Sequence, residues 1–319
     1  MFWLRVPFFG KLFFFAFASA LISAAAPTSH AQSETAMRLD PRPQKIFAVG
    51  HRGAPSHAPE NTLASHDAAI ALGARVVEFD VRYTKDGHFV VIHDGTVNRT
   101  TNGRGRVSRM TLAEIKALDA GSWKGEQFAG LRVPTLREAL RNIKGRAAVD
   151  IDFKGGPSNS GELLADILDE EGFRGGPMVT VFARSWDYKK LTGILGKYQL
   201  RPHYQNKAHT ERVAREDRIQ VMGLRRRGFS FRAAQNIRDN DVVLFTNVMG
   251  FADGPRGFSD SIEAGARFIQ TDHLDRLAPY LAERGLLETC IPAHDFTCWT
   301  APESEQQLAF LTSSVGDGQ

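Results

Sequence analysis

Charged and imidazole side chains follow four short hydrophobic segments of the sequence, at the points where these segments end. One polar residue at a strand end needs no function, because strand ends meet water. Four such ends in one chain favour a functional site, since the carboxyl ends of parallel strands in a barrel converge on one face, where sites are built. The residues are His51 and Arg52 after the first segment, Glu78 and Asp80 in the second, His93 in the third, and Asp150, Asp152 and Lys154 in the fourth.

Closely spaced carboxylates among these residues predict a metal site. Glu78 and Asp80 stand two residues apart on a predicted strand, so their side chains share a face. Two carboxylates together repel each other unless a cation or a proton lies between them. Oxygen ligands favour Ca²⁺ or Mg²⁺, and we predict one divalent cation of this kind. A third carboxylate comes from another strand, where Asp152 and Asp150 have the same parity and compete for the role.

The segment after Asp80 predicts a hairpin. The stretch between Val81 and Phe89 is too short for a parallel crossover, which needs about a dozen residues or more. Asp86-Gly87 is typical of a two-residue hairpin turn. With that turn, Asp80 lies directly opposite His93 on the same face, and a slip of one residue would break this register.

Two histidines and two basic residues complete the predicted cluster. His51 and His93 beside a divalent cation suit general acid–base chemistry near neutral pH. Arg52 offers a guanidinium fork that matches phosphate oxygens, and Lys154 offers a point charge. This combination predicts hydrolysis of an anionic phosphoester and would suit an apolar or cationic substrate poorly.

Strands and helices alternate along the chain, which indicates an α/β fold with a mainly parallel sheet. About eight strands in fewer than 300 residues favour a TIM (β/α)₈ barrel, with a small hairpin or loop insertion after the second and third strands. A doubly wound sheet is the alternative, but no G-x-G-x-x-G follows the first strand. Between residues 199 and 240, either Leu200–Tyr204 or Ile219–Leu224 could supply a strand. Helices are predicted over Thr62–Leu72, Thr111–Leu118, Thr135–Ile143, Trp186–Leu195 and Asp275–Arg284.

The N-terminal segment has the pattern of a secretory signal peptide, predicted over residues 1–31. Arg5 and Lys11 precede the uncharged run Leu12–Ala26, and Ser29 and Ala31 occupy small-residue cleavage positions. The run is short for a bilayer span, which needs about 20 residues; an uncleaved membrane anchor is the alternative. We therefore expect an exported protein, periplasmic or secreted, with no stable membrane insertion after cleavage. Residues 32–45 are polar and read as an exposed lead-in.

Composition agrees with an ordinary globular chain and argues against a nucleic-acid partner. The 319 residues are 42% hydrophobic and 24% charged, which excludes a disordered chain, a collagen-like repeat and a coiled coil. The 22 phenylalanines are many, but seven of them stand in the predicted signal peptide. The net charge of +4 falls to +2 without that segment, which contains two basic residues and no acid. No basic stripe of the kind that binds nucleic acid is present.

The two cysteines stand close together near the C-terminus. In an oxidising compartment Cys290 and Cys298 are expected to be able to form a local disulfide. A metal role is disfavoured, because no other cysteine accompanies them. The barrel domain is predicted over residues 46–290, with a C-terminal tail over 291–319.

These residues resemble the glycerophosphodiester phosphodiesterase family. The resemblance is dense over residues 46–155 and rests on ordered motifs: His51-Arg52-Gly53, Pro59–Thr62, Gly73-Ala74, Val77–Val81, Thr84–Gly87, Val90–Asp94, Arg99–Thr101, Leu118–Gly121, Pro134–Leu136 and Thr271-Asp272. It implies a TIM-type barrel and a metal-dependent hydrolase that cleaves small-molecule glycerophosphodiesters to sn-glycerol 3-phosphate and an alcohol. It also implies His51 and His93 as the acid/base pair, Arg52 and Lys154 as phosphate binders, and Glu78, Asp80 and Asp152 as ligands of the cation.

Some positions depart from the family pattern and keep alternatives open. The family usually has Glu where Asp152 stands, and often has Trp near Phe245–Val248. Residues 199–240 match little and are expected to form a wall that selects the leaving alcohol. One alternative is a phospholipase D-like hydrolase related to sphingomyelinase D. The other is a non-catalytic exported protein that binds phosphodiesters; the intact histidines and carboxylates argue against it. The oligomeric state cannot be predicted.

Overall fold

Strand and helix alternate through the part of the chain that the computed structural model describes, residues 45–183, 191, 197–216 and 219–299. The predicted signal peptide, nearly all of the lead-in, residues 300–319 of the predicted tail and almost all of the predicted helix Trp186–Leu195 lie outside these residues. The first nine strands, in chain order, are β1 (Phe47–Gly50), β2 (Val76–Tyr83), β3 (Phe89–Val91), β4 (Ala148–Phe153), β5 (Val179–Ala183), β6 (Gln199–Leu200), β7 (Val221–Arg225), β8 (Val243–Asn247) and β9 (Phe268–Thr271).

Eight of these strands form a nearly closed parallel barrel, which confirms the predicted fold. Their order around the sheet is β6-β5-β4-β2-β1-β9-β8-β7, and β3 pairs with β2 outside this path. The remaining gap, between β6 and β7, is bridged just beyond β6. There the Gly223 N–H donates to the Pro202 carbonyl at 2.9 Å, and the Tyr204 N–H donates to the Gly223 carbonyl at 2.8 Å. A single parallel bridge, His203 to Gly223, therefore joins the two ends of the sheet.

Both candidate segments between residues 199 and 240 supply strands. Leu200–Tyr204 and Ile219–Leu224 were predicted as alternatives, but each contributes to the barrel, as β6 and β7. The first is hard to recognise because β6 is only two residues long and its pairing continues as an isolated bridge.

Eight helices are described: α1 (Leu63–Ala71), α2 (Leu112–Lys116), α3 (Leu136–Ile143), α4 (Ser160–Glu170), α5 (Lys207–Glu216), α6 (Phe231–Arg238), α7 (Pro255–Glu263) and α8 (Leu274–Glu283). The predicted starts of the first three are confirmed by their caps. The Thr62 hydroxyl accepts the Ser65 N–H, and Thr111 and Thr135 each form a reciprocal capping box with the glutamate three residues on. None of the helices in this described part of the chain is long and apolar enough to cross a membrane.

The predicted hairpin is present, but its register differs from the prediction by one residue. Val81 pairs with Val91 and Tyr83 pairs with Phe89, so Asp80 lies opposite Ile92 and not opposite His93. The reason is the loop. The Thr84 N–H donates to the His88 carbonyl at 2.9 Å, and Gly87 has φ of +94°, which makes a three-residue loop closed by glycine in the left-handed region. The predicted Asp86-Gly87 turn was one residue too short.

The barrel interior changes from apolar to charged along its axis. Because side chains alternate along a strand, Val76, Glu78 and Asp80 of β2 all point inward. At the amino-terminal end the inward residues form an apolar layer in which Phe268 stacks between Phe47 at 5.0 Å and Phe245 at 5.7 Å, centroid to centroid. Charged groups occupy the same face of the strands at the carboxyl-terminal end.

A small hairpin at the C-terminus covers the apolar end. Its strands β10 (Ile291–Pro292) and β11 (Cys298–Trp299) pair antiparallel, and Cys290 and Cys298 form the disulfide that the sequence allows. Ile291 and Phe296 pack on the phenylalanine layer. The polar groups of the barrel interior thus gather at its opposite end.

Candidate active site

Three carboxylates meet at the carboxyl-terminal end of the barrel. Asp80 and Asp152 are register partners on the adjacent strands β2 and β4, and Glu78 lies one inward position below Asp80. One oxygen from each of Glu78, Asp80 and Asp152 lies within 4.8 Å of the others. The competing residue, Asp150, is engaged elsewhere. The Arg201 guanidinium donates to its two oxygens at 3.0 and 2.6 Å, and the Thr180 hydroxyl also donates to it.

The donor set of this cluster fits a hard divalent cation. All the donors are carboxylate oxygens, and Oδ1 of Asp152 is buried without a hydrogen-bond partner. Burial and the neighbouring charge of Asp80 raise the pKa of Glu78 to about 8, so the negative charges of these carboxylates oppose one another. A cation bound to these oxygens would offset that repulsion.

Lys154 bridges two of the carboxylates. Its Nζ lies 2.9 Å from Oδ1 of Asp80 and 2.5 Å from Oδ2 of Asp152. Burial alone would lower the pKa of Lys154, but Asp80 and Asp152 outweigh burial and raise it. For Asp80 burial acts to raise the pKa, yet Lys154 and then Arg52 hold it below its usual value. Lys154 is therefore charged at the mouth of the carboxylate cluster.

His51 follows β1 and is held by a carboxylate from the neighbouring strand. Its Nδ1 lies 2.6 Å from Oδ1 of Asp272, the residue that follows β9, and its Nε2 lies 4.0 Å from Oε2 of Glu78. Burial lowers the pKa of His51, but Glu78 and Asp272 together raise it above the ordinary value. Asp272 thus leaves Nε2 directed at the carboxylate cluster.

His93 follows the hairpin strand β3 and has its own carboxylate partner. Its Nδ1 lies 2.8 Å from Oδ1 of Asp94, which also accepts a hydrogen bond from Arg99. Burial lowers the pKa of His93, Asp80 and Asp94 raise it, and with the nearby positive charges of Arg52 and Lys154 the net shift is downward. The pKa values of the two imidazoles are therefore shifted in opposite directions, upward for His51 and downward for His93.

Arg52 occupies a conformation that few arginines adopt, with φ of +54°. Its backbone N–H donates to Oε2 of Glu78 at 2.7 Å, and its Nη1 donates to Glu60 at 2.9 Å. Asn61, also left-handed with φ of +59°, donates from its amide to Asp80 at 2.8 Å. Such strained residues persist where their surroundings over-determine them, as hydrogen bonds to Glu78 and Asp80 do here.

All seven residues predicted from the sequence line one cavity of about 400 Å³ at the carboxyl-terminal face. They are His51, Arg52, Glu78, Asp80, His93, Asp152 and Lys154. The sequence analysis did not assign roles to the groups that hold them, namely Asp272, Asp94, Glu60 and Asn61. The family-like motifs Thr271-Asp272, Val90–Asp94 and Pro59–Thr62 contain all four of these residues.

Fold and site together define a β/α-barrel protein that carries two imidazoles, three carboxylates and two cationic side chains in one cavity. Comparison with known proteins gives the family. Residues 51–165 match the model of the glycerophosphoryl diester phosphodiesterase family. This match covers the part of the chain that carries most of the family-like motifs, so the predicted resemblance is confirmed there, and the relatives that it matches are named as enzymes.

Individual relatives agree with the family match. A glycerophosphodiester phosphodiesterase of Caldanaerobacter subterraneus is 52% identical over 113 residues, which are 35% of this chain and 46% of the relative. The crystal structure of a glycerophosphodiester phosphodiesterase from Agrobacterium tumefaciens superposes with a TM-score of 0.63 at 28% identity, covering 73% of this chain and 99% of that one. An Oleispira antarctica phosphodiesterase in complex with the product sn-glycerol-3-phosphate has a TM-score of 0.66 at 23% identity, covering 75% and 97%. The chain spans about half the length of the curated relatives that it matches.

Proposed function

We propose that this protein hydrolyses glycerophosphodiesters to sn-glycerol 3-phosphate and an alcohol, with the help of one divalent cation, Ca²⁺ or Mg²⁺. The observation that carries the proposal is the convergence of all seven residues on one cavity. The family match supports it, and so does the barrel that this chain shares with an Oleispira antarctica protein bound to sn-glycerol-3-phosphate.

The proposed reaction needs two proton transfers and positive groups that offset the negative charge of the phosphate. Overall, the oxygen of one water molecule forms a bond to phosphorus, the bond between phosphorus and the alcohol oxygen breaks, and the alcohol leaves with a proton that the water gave up. His51 and His93 are the proposed acid/base pair, one accepting the proton of the nucleophile and the other donating to the alcohol oxygen. Arg52 and Lys154 attract the anionic phosphate and stabilise charge that develops on its oxygens.

The proposed cation is held by Glu78, Asp80 and Asp152. When bound, a divalent cation polarises a phosphoryl oxygen and neutralises charge in the transition state. The chain itself orients this set. Asn61 donates to Asp80 at 2.8 Å, and the Arg52 N–H donates to Glu78 at 2.7 Å, so the carboxylates are fixed from the protein side.

An assay with three substrates tests the proposed function. The protein is incubated with glycerophosphocholine, lysophosphatidylcholine and sphingomyelin, each with Ca²⁺, with Mg²⁺ and with chelator. Release of sn-glycerol 3-phosphate only when metal is present supports the proposal. Release of choline from the two lipids alone would favour the phospholipase D-like alternative, and no turnover of any substrate would favour a binding protein.

Asp272 is expected to act as a positioning residue for His51. Asp272→Asn removes the charged partner of Nδ1, so we expect kcat on glycerophosphocholine to fall at least about 100-fold with little change in KM. Because Asp272 raises the pKa of His51, the limb of the pH profile that belongs to His51 should move to lower pH. Asp272→Glu should recover part of the activity. An unchanged kcat and pH profile in Asp272→Asn would contradict this role.

We also propose that the protein is exported. The signal-like segment over residues 1–31 and the disulfide between Cys290 and Cys298 support this proposal, because disulfides persist in oxidising compartments. Expression of the full chain, followed by N-terminal sequencing of the protein recovered outside the cytoplasm, should give a start at residue 32. Recovery of the intact N-terminus from the cytoplasm would contradict export.

A further inference from the structure

The cavity has a second wall, opposite the predicted catalytic residues. Strands β5 to β9 supply it, and the end of β7 with the turn that follows it contributes Arg225, Arg226 and Arg227 in succession. The family match ends at residue 165, so it does not include this wall. The wall lies in and beyond the region 199–240 that the sequence analysis expected to face the leaving alcohol.

The second wall contributes positive side chains to the cavity and, among the described residues, no carboxylate. Among the described residues that line the cavity, the only carboxylates are Glu78, Asp80 and Asp152, all on the catalytic side. Arg201 lies at the base of the second wall, where Asp150 neutralises it and the ring of Phe245 covers it at 4.2 Å. Arg226 and Arg227 are exposed, and neither forms an ion pair with a carboxylate within the described part of the chain.

His203 lies beside these arginines, and their positive charge affects its pKa. Burial first, and then the charges of Arg201 and Arg225, lower the pKa of His203 to about 2. His203 is therefore neutral, and the charge of the wall comes from its arginines. Glycine at position 223 lets His203 and Arg201 pack closely against β7. A Cβ at that position would lie 2.5 Å from Nδ1 of His203 and 2.8 Å from Nη1 of Arg201.

A phosphodiester whose alcohol carries no negative group offers nothing to pair with the arginines of the second wall. The three catalytic-side carboxylates are already opposed by Arg52, by Lys154 and by the cation proposed above. The scissile phosphate carries a single negative charge, and Lys154 and Arg52 lie on its side of the cavity. Arg226 and Arg227 then face the part of the substrate that leaves as the alcohol. A guanidinium pairs with phosphate or carboxylate in a bidentate fork, whereas it repels the quaternary ammonium of choline.

We propose that the loop 225–227 forms a subsite for an anionic group on the alcohol half of the substrate. The preferred substrates are then glycerophosphodiesters whose alcohol carries a further phosphate or carboxylate. This inference rests on the proposed function, because it assigns the alcohol side of the same cavity.

A matched pair of substrates tests the subsite. Glycerophosphoinositol and glycerophosphoinositol 4-phosphate differ only in one phosphate on the alcohol. We expect kcat/KM for release of sn-glycerol 3-phosphate to be about tenfold higher for the phosphorylated compound, as one charge-assisted hydrogen bond would give. In the double variant R226Q/R227Q this ratio should fall close to one. The preference should also shrink as salt is raised, because the arginines are exposed.

The control variant removes two positive charges at positions outside the cavity. Arg104 and Arg106 are exposed on a loop outside the cavity, and R104Q/R106Q should keep the wild-type ratio. A wild-type ratio of one or less, or a ratio unchanged in R226Q/R227Q, would overturn the subsite while leaving the proposed hydrolysis intact. Pelleting with phosphatidylglycerol vesicles that is lost in R226Q/R227Q, with an unchanged ratio, would assign the arginines to a lipid surface and also overturn the subsite.

Titration calorimetry with the same two compounds separates the two proposals. If neither compound nor glycerophosphocholine yields sn-glycerol 3-phosphate, the proposed function fails. Tighter binding of the phosphorylated compound, lost in R226Q/R227Q, would still support the subsite. Equal binding of both compounds by the wild-type protein would overturn it.

Discussion

His51→Ala and His93→Ala are each expected to lower kcat on glycerophosphocholine by about 10²–10⁴-fold, the usual contribution of a general acid or base. Both imidazoles line the cavity that holds the carboxylates, and each is fixed through Nδ1 by an aspartate, at 2.6 Å for His51 and 2.8 Å for His93. Since one group takes a proton and the other gives one, neither can replace its partner. Steady-state kinetics at saturating metal measures the effect.

The matched control is His88→Ala, which removes an exposed imidazole from the hairpin loop and should keep full activity. His51→Ala leaves the Asp272 carboxylate without its partner, so His51→Gln is included as a variant that can still donate a hydrogen bond at this position. Circular dichroism and thermal unfolding should show native folds for all of them. Normal turnover in either alanine variant would remove that histidine from the acid/base pair.

Asp80→Asn is expected to abolish metal binding and to lower activity at least about 100-fold. Asp80 lies at the centre of the carboxylate cluster, since its side chain contacts Lys154 and Asn61 and its oxygens lie close to those of Glu78 and Asp152. An amide replaces a charged oxygen ligand by a neutral one of the same shape. The hydrogen bond from Asn61 can persist, so the barrel should fold as before.

Thermal unfolding gives a readout of this prediction that does not need activity. A cation at 100 times its Kd stabilises a folded protein by about 2.7 kcal/mol, so Ca²⁺ or Mg²⁺ should raise the Tm of the wild type but not of Asp80→Asn. Asp166→Asn, on the exposed face of α4, is the control and should respond to metal like the wild type. An equal metal-induced rise in Tm in Asp80→Asn would contradict the proposed ligand set.

Local patterns in the sequence predict the residues that line the catalytic side of the cavity, because strand ends and side-chain alternation are local properties. His51, Glu78 and Asp80 need only the position of their own strands. The choice between Asp150 and Asp152 could not be made in this way, since both point inward. Arg201, contributed just after β6, decides it by pairing with Asp150.

The parts that the sequence analysis missed depend on distant or conformational detail. The partner of His51 is Asp272, 221 residues away, and only the pairing of β1 with β9 brings the two together. The hairpin register depended on whether the loop holds two residues or three, and the left-handed Gly87 decides for three. The strand β6 is too short to show a periodicity.

The barrel closes through a single bridge, so the joint beside β7 has fewer backbone pairs than the pairing of β2 with β4. The carboxylates lie on β2 and β4, which pair over six consecutive residues, whereas the arginine wall stands beside a joint made by the two hydrogen bonds of Gly223 with Pro202 and Tyr204. Mutations at the joint can therefore reshape the pocket for the alcohol without disturbing the chemistry at phosphorus. The two ends of one cavity can therefore be altered separately by substitution.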